Sequence, residues 1–104
     1  MLLATDVWVG ALIRRAQLGG AFATVARHGD PRAGAVLVKI YDSANRTARL
    51  YSEATGPDGD RLWMRPLDTE VDAYIERQAH FDSDLWVVEI EDREGRHFLT
   101  EKVT

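Results

Sequence analysis

Cysteine is absent from the 104 residues. That excludes disulfides, thiolate metal sites and cysteine nucleophiles, and it agrees with a reducing compartment. Positive charge is also short, with 13 Lys and Arg against 17 Asp and Glu and a formal net charge of −4. An acidic balance argues against broad nonspecific DNA binding, although it permits a local basic face. No apolar run approaches the length of a membrane span. The N-terminus, Met1-Leu2-Leu3-Ala4-Thr5-Asp6, has no basic segment ahead of its apolar residues, and Arg14-Arg15 follow them. No signal peptide is therefore expected, and the protein reads as cytoplasmic. Repeats, low-complexity tracts and linkers are missing as well. Hydrophobic content of 45% with 29% charged residues is a globular composition, and one domain over residues 1–104 is expected.

Chemical motifs are equally scarce. Gly29 to Gly34 has the glycine spacing of a phosphate loop, but Ala35-Val36 stands where Lys and Ser/Thr would be needed to reach phosphates or magnesium. No G-x-S-x-G elbow occurs. His80-Phe81-Asp82-Ser83-Asp84 and His28-Gly29-Asp30 gather possible metal ligands, without the fixed spacing that zinc sites use. The simpler reading is that Asp82 and Asp84 shape a turn after a helix. No cofactor and no metal are expected.

What is present is a strong alternating stretch, Leu85-Trp86-Val87-Val88-Glu89-Ile90-Glu91-Asp92. Trp86, Val88 and Ile90 fall on one side and Glu89 and Glu91 on the other, the mark of a half-buried strand. Ahead of it, Thr5–Leu18 has helical periodicity, with Trp8, Val9, Leu12, Ile13 and Ala16 in one stripe. Thr5 or Asp6 can cap it and Gly19-Gly20 can stop it. Strands are expected at Ala21–His28, Ala35–Asp42, Thr47–Ala54 and Arg61–Pro66, separated by turn residues in the manner of an antiparallel meander. Asp68–Phe81 reads as a second helix, with Thr69 and Asp72 resembling a capping box. His97–Val103 is expected to return as a short, frayed strand. The predicted fold is α+β, an antiparallel sheet of five or six strands with both helices packed on one face, in the order α-β-β-β-β-α-β with or without a final β.

Three stretches carry a family resemblance. They are Trp8 to Ala16 with Gly19-Gly20, Gly29 to Lys39, and Phe81 to Arg93. Together they resemble a small alphaproteobacterial family, the domain of unknown function numbered fourteen-ninety-one, over nearly the whole chain. The resemblance implies a small, single-domain cytosolic protein with no assigned activity, and it transfers no site residues.

A register that gathers the apolar side chains pairs Val38 with Leu50, Leu50 with Met64, and Phe22 with Ile40. It turns Lys39, Tyr41, Arg49, Tyr51, Trp63 and Arg65 to the other face. Lys39 then lies opposite Arg49, and Arg49 opposite Arg65. Like charges directly opposite are destabilising, so something negative should compensate. Glu53, Glu89 and Glu91 are internal candidates. A phosphate backbone is an external one, with Tyr41, Tyr51 and Trp63 stacking the bases of single-stranded RNA. Aromatics rimmed by arginine are also the composition of a protein interface. The reading favoured by the sequence is a non-enzymatic protein-binding module whose partner is another protein or a second copy of the chain. RNA or another anionic ligand on the same face is the alternative. A hydrolase is a second alternative, since Glu89 and Glu91 would lie about 7 Å apart on one strand face.

Overall fold

The computed structural model describes residues 4–104, and every side chain among them except those of Arg65 and Pro66. The elements are α1 (Thr5–Leu18), β1 (Phe22–Arg27), β2 (Val36–Asp42), β3 (Thr47–Thr55), β4 (Arg61–Leu67), α2 (Val71–Phe81) and β5 (Trp86–Asp92). The α+β class and the order of elements are those read from the sequence.

The sheet differs from the expected one in three ways. First, it is mixed. Its order is β1-β5-β2-β3-β4, with β5 inserted between β1 and β2, antiparallel to β1 and parallel to β2. Only β2, β3 and β4 form a meander. β5 takes the interior because its first half is buried on both sides, Trp86, Val88 and Ile90 on one and Val87 on the other, with Leu85 buried just ahead of it. Near-continuous apolar runs belong to strands covered on both faces.

Second, the helices lie on opposite faces. Trp8, Val9, Leu12 and Ala16 of α1 pack against Val36, Val38, Ile40, Trp86, Val88 and Ile90. Val71 of α2, with Tyr74, Ile75 and Ala79, packs against Leu37, Leu50 and Val87. Alternation along a strand separates these two sets.

Third, the register between β2 and β3 is shifted by one. Val38 faces Tyr51 and Lys39 faces Leu50. A slip of one residue exchanges the faces of a whole strand. Tyr51 and Trp63 therefore enter the α1 core, Leu50 is buried beneath α2, and Met64 is left 49% exposed. Both sides of β2 are apolar, so alternation could not choose between the two registers.

Local details also depart from expectation. Thr5 opens α1 instead of capping it. Its hydroxyl donates to the Gly34 carbonyl at 3.2 Å, and the Thr5 and Asp6 amides donate to the carbonyls of Arg32 and Pro31. The helix start is thus closed by the 31–34 loop. α2 begins after Glu70, which adopts a left-handed conformation with φ 53° and no side-chain cap. The Thr69–Asp72 capping box does not form, and Asp72 pairs with Lys39 instead. Residues 97–103 make no continuous strand; only Val103 bridges, in parallel, to Trp63. Gly29 and Gly34 owe their identity to packing: a Cβ on either would collide with the Asp84 carbonyl and crowd the Trp86 ring. Among the described residues, no helix is long and apolar enough to cross a membrane.

Candidate interaction surface

The six residues expected on one open face are dispersed. Trp63 is fully buried and Tyr51 is 5% exposed, both within the α1 core. Arg49 faces Ile40 on that same side, and its guanidinium donates to the Gly95 carbonyl at 2.9 Å. Arg65 belongs to β4, and its side chain lies outside those described. Among the described side chains of the six, Lys39 and Tyr41 stand on the α2 side, half-buried. The expected opposition of Lys39 and Arg49 disappears with the register, because the two now point to different faces. Internal compensation is present all the same. Lys39 Nζ meets Asp72 at 2.7 Å, and Arg61 is ion-paired to Glu53.

What remains open is a corner of the α2 face. The strand pairings set two rows across the sheet, Phe22–Glu91–Tyr41–Ala48 and Thr24–Glu89–Lys39–Leu50. α2 covers the Leu50 and Ala48 ends of these rows and stops short of the others. Phe22 is 69% exposed, Thr24 and Glu91 are exposed, and Tyr41 and Glu89 are half-buried. Phe22 and Glu91 also border a groove of about 600 Å³ that continues past Gly19, Ser43 and Arg93.

This corner lies on the sheet's outer edge. β1 pairs with β5 on one side, and among the described residues nothing pairs with its other side. From Phe22 through Ala26 it carries no charge and no proline. Its one protective feature is a register irregularity between Val25 and Arg27, a bulge that twists the far end of the edge. The sequence reading missed Phe22 by turning it inward, opposite Ile40. The available signal was the uncharged run itself, which is unusual for an edge strand.

The remaining polar clusters hold the fold together. Asp92, 4% exposed, accepts from the Arg96 side chain at 2.9 and 3.0 Å and from the amides of Glu94 and Arg96. The Arg96 hydrogen bonds hold its carboxyl at about 2, against the cost of burial. Asp42 accepts from the Asn45 amide and side chain, which lower its pKa. Both acids close turns at strand ends, and their acceptor positions are used. Glu101 receives the indole N–H of Trp8 at 2.9 Å and of Trp63 at 3.1 Å. Burial pushes its carboxyl up, but the two indoles, its own backbone amide and Arg61 outweigh that and leave it lowered. His97 is lowered by burial and by Arg49, and its Nδ1 accepts from the Leu99 amide.

The motifs weighed for chemistry have structural roles. Asp82 accepts from the Asp84 amide and Asp30 from those of Arg32 and Ala33, as turn builders do. His28 stacks on Trp86, with ring centroids 4.1 Å apart. No cluster of three or more metal-ligating side chains forms among the described residues. Acid–base hydrolysis would need a carboxyl group shut away from water, whereas Glu91 is exposed. Base stacking would need Tyr51 and Trp63 at the surface. The rings at the corner, Phe22 and Tyr41, instead stand in register with Glu91, which repels phosphate.

Comparison with known proteins gives a consistent picture. A profile of the family described as "Protein of unknown function (DUF1491)" matches residues 3–100. The crystal structure of a DUF1491 family protein from Caulobacter crescentus CB15 is 67% identical, with TM-score 0.94 over 99% of this chain and 100% of that one. An NMR structure of a DUF1491 family protein from the same organism is 68% identical, with TM-score 0.90 over 100% of this chain and 98% of that one. The solution structure of protein Atu0922 from A. tumefaciens is 34% identical, with TM-score 0.78 over 97% and 95% of the two chains. No curated protein matches the chain.

Proposed function

The chain belongs to the DUF1491 family, and from that premise we propose that it is a non-enzymatic protein-binding module, docking an extended polypeptide segment along β1 and over the corner formed by Phe22, Tyr41 and Glu91. The observation that carries this reading is an uncharged sheet edge, unpaired among the described residues, beside a phenylalanine that is 69% exposed. An edge strand offers a row of backbone donors and acceptors, and an added strand satisfies them. Side chains at alternate positions of the incoming segment would meet Phe22 and Thr24 on one face, which supplies selectivity. The turn-building roles of Asp42 and Asp92, and the exposure of Glu91, support binding over catalysis. The absence of cysteine agrees with a cytosolic setting.

The test is a capture comparison with the purified chain immobilised. Phe22→Ser and Thr24→Lys should each lose the proteins retained by the unaltered chain. Phe81→Ser serves as control, because Phe81 is 82% exposed at the end of α2 and belongs to neither row. A retained set that ignores both β1 substitutions, or that changes only with Phe81→Ser, would overturn the reading.

A further inference from the structure

We propose that the segment received along β1 is β1 of a second copy of this chain, joined antiparallel about a twofold axis through Thr24. This rests on the reading of β1 as a docking edge and names its occupant.

Geometry restricts the pairing. A twofold axis perpendicular to the sheet keeps each copy's α1 side on the same side of the joined sheet. Residues that meet must therefore point the same way, so the numbers of paired residues add to an even sum. Centring on Thr24 places Thr24 against Thr24, Ala23 against Val25, and Phe22 against Ala26. Centring on Val25 would instead bring Arg27 against Ala23 and put the irregularity between Val25 and Arg27 at the middle of the contact. With Thr24 at the centre, the distorted end stays at the margin.

Chemistry favours the same pairing. No charged residue lies between Ala21 and Ala26, so no like charges meet, and like charges directly opposite are what destabilise a cross-strand pair. The two threonine hydroxyls can bond one another. Val25, 37% exposed, gains the methyl of Ala23, while Phe22, 69% exposed, falls at the margin beside the irregular end of the partner strand. Glu89 flanks Thr24 on β5, but the two Glu89 residues would lie three strand spacings apart, about 14 Å. That exceeds the Debye length of about 8 Å at physiological salt, so their repulsion is largely screened. The product is one continuous sheet, the five strands of each copy meeting at β1. So short a contact is smaller than the roughly 1,600 Å² of a standard stable interface, and the dimer is weak and reversible.

A charge swap tests this. Sedimentation equilibrium of the full chain, from on the order of 10 µM to 1 mM, should show a monomer–dimer equilibrium. Thr24→Lys and Thr24→Glu should each weaken it at least about tenfold by setting like charges opposite one another. An equal mixture should restore association to near that of the unaltered chain, because Lys then meets Glu. Circular dichroism and thermal unfolding of each variant confirm that the fold is kept. An unaltered chain that stays monomeric throughout overturns the self-pairing, and the capture comparison then decides separately whether β1 docks other proteins. A dimer that ignores both substitutions, or a mixture that fails to restore association, places the contact elsewhere and also overturns it.

Discussion

The two edges of the sheet are treated differently. At β4 the chain's own C-terminal segment closes the edge: the Trp63 amide donates to the Lys102 carbonyl and the Thr104 amide to the Trp63 carbonyl, both at 2.8 Å. Glu101 fastens that segment through the indoles of Trp8 and Trp63. β4 also carries Arg61, Arg65 and Pro66, residue types that discourage strand addition. β1 has none of these up to Arg27, and among the described residues no strand pairs with its outer side. One edge is closed by several independent devices and the other by a single bulge. The contrast argues that the open edge is used, because an idle edge of this composition is an aggregation hazard.

The contrast can be broken from several directions. The largest effect is expected at Gly29, which follows β1 and lies against the Asp84 carbonyl and the Trp86 ring. Gly29→Ala forces backbone to move and should cost about 3 kcal/mol or more, measured by urea unfolding. It should loosen the far end of β1 before it affects β4. Next comes Glu101→Ala, which strands two indole donors and should cost about 2–3 kcal/mol. Its signature is faster amide exchange at Trp63 and Thr104, turning β4 into a second open edge.

Acid should act on the root of the closing segment. Asp92 binds Arg96, where that segment begins, and the Arg96 hydrogen bonds pull its carboxyl down to about 2 in the folded chain from an ordinary 3.8. A lowered folded pKa means that the unfolded chain takes up protons first. The contribution of Asp92 is therefore complete above about pH 4 and is lost as pH falls toward 2. Unfolding curves of Asp92→Asn should be less stable at neutral pH and flatter across that window. The smallest effect on stability is expected from Thr24→Lys, within about 0.5 kcal/mol, since Thr24 is exposed. A larger loss would mean that the β1 edge is built into the fold.

Much of this architecture can be read along the chain. The seven elements and their order follow from periodicity and turn residues, because local rules decide them. Which strand neighbours which does not. Leu85 to Val88 and Val36 to Val38 are continuous apolar runs, the pattern of strands covered on both sides. Treating them as half-buried assigned one apolar face where there are two. That single assumption placed both helices together, put Tyr51 and Trp63 outside, and turned Phe22 inward. Of the six residues expected on one face, Lys39 and Tyr41 share the α2 side because β2 aligns them with Glu89 and Glu91. Glu101 could not be anticipated, since its role depends on indoles brought from α1 and β4, at positions 8 and 63.

Amide hydrogen exchange, followed residue by residue at low and high protein concentration, compares the two edges directly. In dilute solution the outward-pointing amides of Phe22 to Val25 should exchange rapidly while those of Trp63 and Thr104 exchange slowly. Raising the concentration should slow exchange along β1 alone. Strong protection of β1 in dilute solution, or concentration-dependent protection that appears at β4 instead, would contradict the account.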